Sequence, residues 1–186
     1  PTVAAAKLAW WRDEIGRFAA GRPQHPVTRA LFDAAPGLAG SEALLLDIVA
    51  GMEMDLRPAR YRDFDELRTY CHRVAGVVGE VAATIFAHPA RLDDATRDYA
   101  HTLGLAFQLT NIVRDVGEDA RRGRIYLPQD ELERYGVAVR DLTSGRDSAG
   151  FQQLMDFQAR RALALYDTAP ARLPRRDGRR GASATR

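Results

Sequence analysis

Apolar residues recur every three or four positions along most of this chain, and that spacing predicts helices. Leu8, Trp11, Ile15 and Phe18 form one such stripe within residues 3–20, which Gly21 and Pro23 end. A short helix opens near Pro26 in HPVTRALFDAA. Gly37 and Gly40 break the pattern, and Ser41 is a candidate cap for a helix from Glu42 through Leu56, ahead of Pro58. Asp63 or Asp65 caps a helix that runs to about Phe86, before His88-Pro89. Asp93 or Asp94 caps the next, which ends near Asp119. RRGRIYLP reads as extended, QDELERYG as a short helix followed by a loop, and residues 149–169 as a last amphipathic helix closed by Pro170.

Alanine, leucine and arginine are abundant and β-branched runs are few, which favours an all-α fold. The 186 residues, 46% hydrophobic and 28% charged, suffice for one core and one domain over residues 1–170. The net charge of +2 is unevenly spread. Residues 171–186 hold six arginines against one acid, Asp177, so the remainder has three more acids than bases. The tail is basic and poor in apolar residues, and it reads as disordered. A mildly acidic body does not suit a nucleic-acid binder, which needs a basic face on its folded part. Cys71 is the single cysteine, so no internal disulfide can form, and a reducing, cytoplasmic setting is the simpler expectation. No run of about 20 apolar residues predicts a membrane span. The start, Pro1-Thr2-Val3, reads as the middle of a longer protein.

The stretch LAFQLTNIVRDVGED carries the chemistry. Gln108, Asn111, Asp115 and Asp119 fall on one stripe of an otherwise apolar helix, the last three within about 80° at 100° per residue. Carboxylates in apolar surroundings lose hydration and repel, so they call for a cation. Hard oxygen donors select Mg²⁺, Mn²⁺ or Ca²⁺ over zinc, and Mg²⁺ is commonly shared with substrate phosphates. An N-x₃-D-x₃-D stripe is thus half of a Mg²⁺–diphosphate site, with Arg114, Arg121, Arg122 and Arg124 near enough in sequence to meet phosphate oxygens. The plainer reading is a solvated helix face, because acids at i and i+4 are common there. A calcium loop is disfavoured, since DVGEDARRGRIYL lacks the required order of ligands.

A second segment, YCHRVAGVVGEVAA, crowds Ala75, Gly76, Gly79, Ala82 and Ala83 into one helix. Glycine there costs roughly 1 kcal/mol against alanine, so it implies close helix packing or room for a ligand. Tyr70, at the head of this segment, is either a core aromatic or a polar group aimed into a pocket. DDATRD, beginning at Asp93, sits at a helix start, where capping is its expected role.

Together YCHRVAGVVG, GLAFQLTNIVRDVGEDARRGRIYLP, LDIVAGMEMDL and WWRDEIGRFAAGRPQHPVTRAL resemble the squalene/phytoene synthase family, over roughly residues 5–170. The run Q-L-T-N-I-x-R-D-x-x-E-D followed by G-R-x-Y-L-P is specific to it. Within the family, GMEMDL and the early region look most like bacterial squalene or presqualene diphosphate synthases. The resemblance implies an isoprenoid-synthase-type helical bundle around a central cavity and a head-to-head joining of two prenyl diphosphates. By position, Asn111, Asp115 and Asp119 would hold Mg²⁺, or Mn²⁺ in its place. Asp115, Asp119 and Tyr70 would be catalytic, and Gln108 and Arg114 would contact diphosphate. Tyr70, Val74, Val78, Gly79, Gly104 and Phe107 would line the prenyl channel. NADPH use, oligomeric state and the choice between C15 and C20 substrates stay open, as does contact with the inner membrane face during product release.

Three departures bear on this. The family's first acidic motif lies upstream of the region matching Trp10–Leu31, where this chain has few residues. Its arginine-rich end stands where the family continues in apolar helix. Ala50 occupies a place where an acid is expected. A chain incomplete at both ends, weakly active by itself, is the expectation. Three other readings remain: a non-catalytic helical binding domain, a nucleic-acid binder using the tail, and a head-to-tail prenyltransferase or terpene cyclase.

Overall fold

The computed structural model describes residues 2–86 and 93–173, and among these no strand occurs. The elements are α1 (Thr2–Ala19), α2 (Pro26–Ala34), a 3₁₀ turn (Pro36–Gly40), α3 (Glu42–Met54), α4 (Phe64–Cys71) and a wide π-helical turn (His72–Gly76). They continue with α5 (Val77–Phe86), α6 (Asp94–Arg121), α7 (Gln129–Arg134), α8 (Val139–Ser144), α9 (Ala149–Thr168) and a last 3₁₀ turn (Pro170–Arg172). Most predicted boundaries stand within two residues. Asp63 caps α4 by accepting from Glu66 N–H, and Asp93 caps α6 by accepting from Thr96 N–H. Ser41 makes no such cap: its hydroxyl turns back to the Gly37 carbonyl instead. The loop expected after α7 contains α8. The break at His88-Pro89, and the tail from residue 174 on, lie outside the described residues. Before that point Arg172 is ordered enough to donate to Asp98 at 2.6 Å.

The 28-residue α6 is the axis of the bundle. It packs chiefly against α9 on one side and against α5 and the π-helical turn on the other. Two apolar clusters result. One joins α4, α6, residues 125–127 and α7 to α9 around Leu67, Leu109, Leu127 and Leu154. The other joins α1, the first 3₁₀ turn, α3 and α5 around Phe18, Leu38 and Val77. Each fully buried Leu, Val or Phe contributes about 1.5–3 kcal/mol of transfer free energy. α7 is tied to α9 by a buried polar group, in which Gln158 and Arg161 donate to Glu131. The Arg161 guanidinium also lies 3.7 Å over the Phe64 ring. Among the described residues no helix is long and apolar enough to cross a membrane.

Glu14 fixes how α2 leaves α1. Its side chain is fully buried and accepts from Gln24 N–H at 2.7 Å, His25 N–H at 2.8 Å, Arg17 Nε at 2.7 Å and the Thr28 hydroxyl. Burial pushes its pKa up, but these four donors outweigh burial and hold it at about 2, below the ordinary 4.5. A depressed carboxylate contributes stability that is complete above 4.5 and is lost as pH falls toward 2. Glu14→Gln should therefore destabilise the chain at pH 7 by on the order of 3 kcal/mol. It should also flatten the dependence of the melting temperature on pH below 4.5. Unfolding curves of both proteins at pH 7 and pH 3 test this, and parallel acid losses would refute the role.

Candidate active site

A groove of about 630 Å³ runs between α5 and α6. Val74, Val78, Gly79, Gly104 and Phe107, which the resemblance assigned to a prenyl channel, line it together with Gln108 and Asn111. Ala82, Ala83, Ala100, Leu103 and Tyr99 complete an almost wholly apolar wall. These were not singled out for the wall beforehand except for Ala82 and Ala83, because a helix face shows its lining only once its partner is placed. The groove follows α6 from Thr96 to Asn111, about 22 Å at 1.5 Å per residue. Val78 and Phe107 stay 41% and 54% exposed at its rim, so it is open along one side.

The small residues serve both of the purposes open from sequence. A Cβ at Gly79 would lie 2.3 Å from the Ala100 carbonyl oxygen, and one at Gly104 would lie 2.3 Å from that of Ala75. The α5–α6 crossing is therefore a backbone-to-backbone approach, and the groove opens beside it.

At one end the polar stripe begins. Gln108 and Asn111 face the groove, and Asp115 and Asp119 continue along α6 by one and two further turns, all four half-buried. Arg114 donates from Nε and Nη2 to the two Asp115 oxygens, at 2.7 and 2.6 Å. That pairing, against a smaller opposing effect of burial, lowers the Asp115 pKa. Asp119 shifts the other way: burial raises it first and the Asp115 charge adds to this, with Arg124 and Arg122 opposing. Among the described residues no side chain donates a hydrogen bond to Asp119. Of the predicted phosphate contacts, Arg122 is paired with Glu118 at 2.6 Å, and Arg124 lines a small cavity with Asp119 and Tyr126.

The donor set is all oxygen, which suits a hard cation shared with phosphate. Among the described residues, no three acids, histidines or cysteines gather into a site that could hold a metal ion by themselves.

Tyr70 is the one predicted channel residue that does not line the groove. It is 3% exposed and its hydroxyl donates to Asp55 at 3.1 and 3.2 Å. The π-helical turn after Cys71 explains the difference. It widens the helix, so a residue before it and Val74 and Val78 no longer share one face as plain α-helical spacing would have it.

A family model described as squalene/phytoene synthase matches residues 1–185. The chain belongs to the squalene/phytoene synthase family. Among family members, it is 42% identical over 170 residues to phytoene synthase 3 of Zea mays, covering 90% of this chain and 40% of that protein. It is 41% identical over 172 residues to the phytoene synthase of Arthrospira platensis, covering 87% and 56%. Two solved structures share the fold. One is a squalene synthase from Alicyclobacillus acidocaldarius, with a TM-score of 0.81, 28% identity and coverage of 90% of this chain and 63% of that one. The other is a dehydrosqualene synthase in complex with ligand, with a TM-score of 0.77, 34% identity and coverage of 88% and 57%. The chain therefore spans about two fifths to three fifths of these family members' length, and its all-α bundle is the family's isoprenoid-synthase fold.

Proposed function

We propose that this chain carries one metal motif and one prenyl-binding wall of an enzyme that joins two prenyl diphosphates head to head, 1′ to 1, with release of diphosphate. One observation carries the reading: the stripe of Gln108, Asn111, Asp115 and Asp119 runs directly into the apolar groove on the same helix. A ligand with an anionic head and a long hydrocarbon tail matches that surface along its length.

Bound Mg²⁺ would supply Lewis acidity toward the departing diphosphate. Asn111, Asp115 and Asp119 would hold it, with Mn²⁺ as a substitute. Gln108 can donate its amide N–H to a phosphate oxygen, and Arg114 can exchange its Asp115 partner for one. The wall from Val74 to Ala83 and from Tyr99 to Phe107 orients the chain and keeps water from an allylic cation. A hydrocarbon product of this size partitions into lipid, so the proposal includes contact with a membrane face at release.

The first substrate reading is farnesyl diphosphate, giving presqualene diphosphate or squalene, in line with the two solved structures, a squalene synthase and a dehydrosqualene synthase. The second is geranylgeranyl diphosphate giving phytoene, which the names of the sequence relatives favour. Incubating the full-length protein with each diphosphate and Mg²⁺, then separating the products, decides between them. A C30 product is expected. Phytoene would establish the second reading, and a head-to-tail product or none would overturn the proposal. The 186-residue chain tested by itself should turn over weakly or not at all, because it contributes a single acidic motif of this kind; robust turnover would refute that.

A further inference from the structure

Two residues of the quoted motifs have no part in the reaction above: Asp55 of GMEMDL and Tyr126 of GRIYLP. The fold brings both to Tyr70. Asp55 follows the last turn of α3, and its carboxylate accepts from the Tyr70 hydroxyl at 3.1 and 3.2 Å and from the Tyr126 hydroxyl at 3.3 Å. The two hydroxyls lie 3.5 Å apart. Their rings stack at 5.3 Å between centroids, and Tyr61 packs on both, at 5.6 and 6.2 Å. All three rings are at most 7% exposed. Each phenol has one proton to give, and both protons point at one carboxylate. The Asp55 carboxylate and the Tyr126 hydroxyl thus hold the Tyr70 hydroxyl in place, and the stacked rings hold its ring. The cluster also touches the acidic end of the candidate site: Tyr126 shares a small cavity with Asp119.

Resting on the head-to-head reading, we propose that Asp55 is a positioning residue that fixes the Tyr70 hydroxyl beside the acidic stripe, with Tyr126 as a lateral brace. A carboxylate in a purely structural role would be replaceable by a neutral acceptor of the same shape. One that orients a reacting hydroxyl is not, because the asparagine amide offers one acceptor oxygen and a competing donor.

The test is a double-mutant cycle in the full-length protein, read as kcat and KM separately. Asp55→Asn should lower kcat by about 100-fold with KM held within about twofold, the scale of a lost positioned acid–base group. Tyr70→Phe should do the same. The double variant should be no slower than Tyr70→Phe, since Asp55 acts only through that hydroxyl. Losses that multiply, or turnover in Asp55→Asn equal to the unsubstituted protein, would overturn the assignment. Should Asp55→Asn fail to fold, Tyr126→Phe carries the test. It keeps the ring stack and should lower kcat by about 10-fold at unchanged KM, whereas unchanged kcat would overturn the brace. A hydroxyl proton resonance slow to exchange, present in the unsubstituted protein and absent in Tyr70→Phe, reports the hydrogen bond independently of turnover. A full-length protein with no prenyl turnover would sink the functional reading and this assignment together. Turnover indifferent to Asp55 would sink the assignment alone.

Discussion

Gly104→Ala should lower the melting temperature by roughly 10 °C, the effect of about 3 kcal/mol on a domain of this size. The added methyl would lie 2.3 Å from the Ala75 carbonyl oxygen and 2.8 Å from its carbon. Both are backbone atoms within packed helices, so no flexible side chain can yield. Gly79→Ala meets the Ala100 carbonyl in the same way and should cost a similar amount. The two together should cost less than the sum, because separating the helices once accommodates both methyls. Gly117→Ala is the control. On the same helix, its Cβ would meet only the Arg121 guanidinium at 3.5 Å, so the variant should gain about 1 kcal/mol from helix propensity. Calorimetry of the four variants beside the unsubstituted chain decides the matter. A Gly104→Ala chain that melts with the unsubstituted one would show that the crossing is looser than described.

Asp119→Ala and Asp115→Ala should each reduce turnover of the full-length protein on the order of 10³-fold, the several kcal/mol that a Lewis-acidic ion supplies. In the chain itself, the readout is protection from thermal unfolding by inorganic diphosphate with Mg²⁺. A ligand that binds only the folded state raises the melting temperature, and each substitution should remove that rise. Asp119 is the more informative of the two. Burial first, then the Asp115 charge, raises its pKa, and a cation binds its ionised form. Protection should therefore strengthen as pH rises through the carboxylate range. An unchanged response in both variants would favour the plain reading, a solvated helix face.

The helices were legible because their apolar spacing and caps are local. Asp63 and Asp93 announce the starts of α4 and α6 by residue type and position alone. The five residues assigned to a channel that line the groove were named from a resemblance, whose motifs fix their register on two helices. What stayed hidden is non-local. Glu14 reads as one more acid in an amphipathic helix, and only the return of residues 24–28 shows it as a buried acceptor. Asp55 and Tyr126 are 71 positions apart, and no spacing rule joins them. Tyr70 was misplaced because the π-helical turn that redirects it is invisible to a count of 3.6 residues per turn.

Since one unbroken helix bears both the polar stripe and one side of the apolar groove, the distance and angle between them are set by helical geometry alone. Inserting a single residue between Gly104 and Asn111 would turn the carboxylates by about 100° away from the groove while leaving each half intact. Such a protein cannot adapt to longer or shorter substrates by lengthening α6. It must do so by changing side-chain bulk along a ruler whose markings are already fixed.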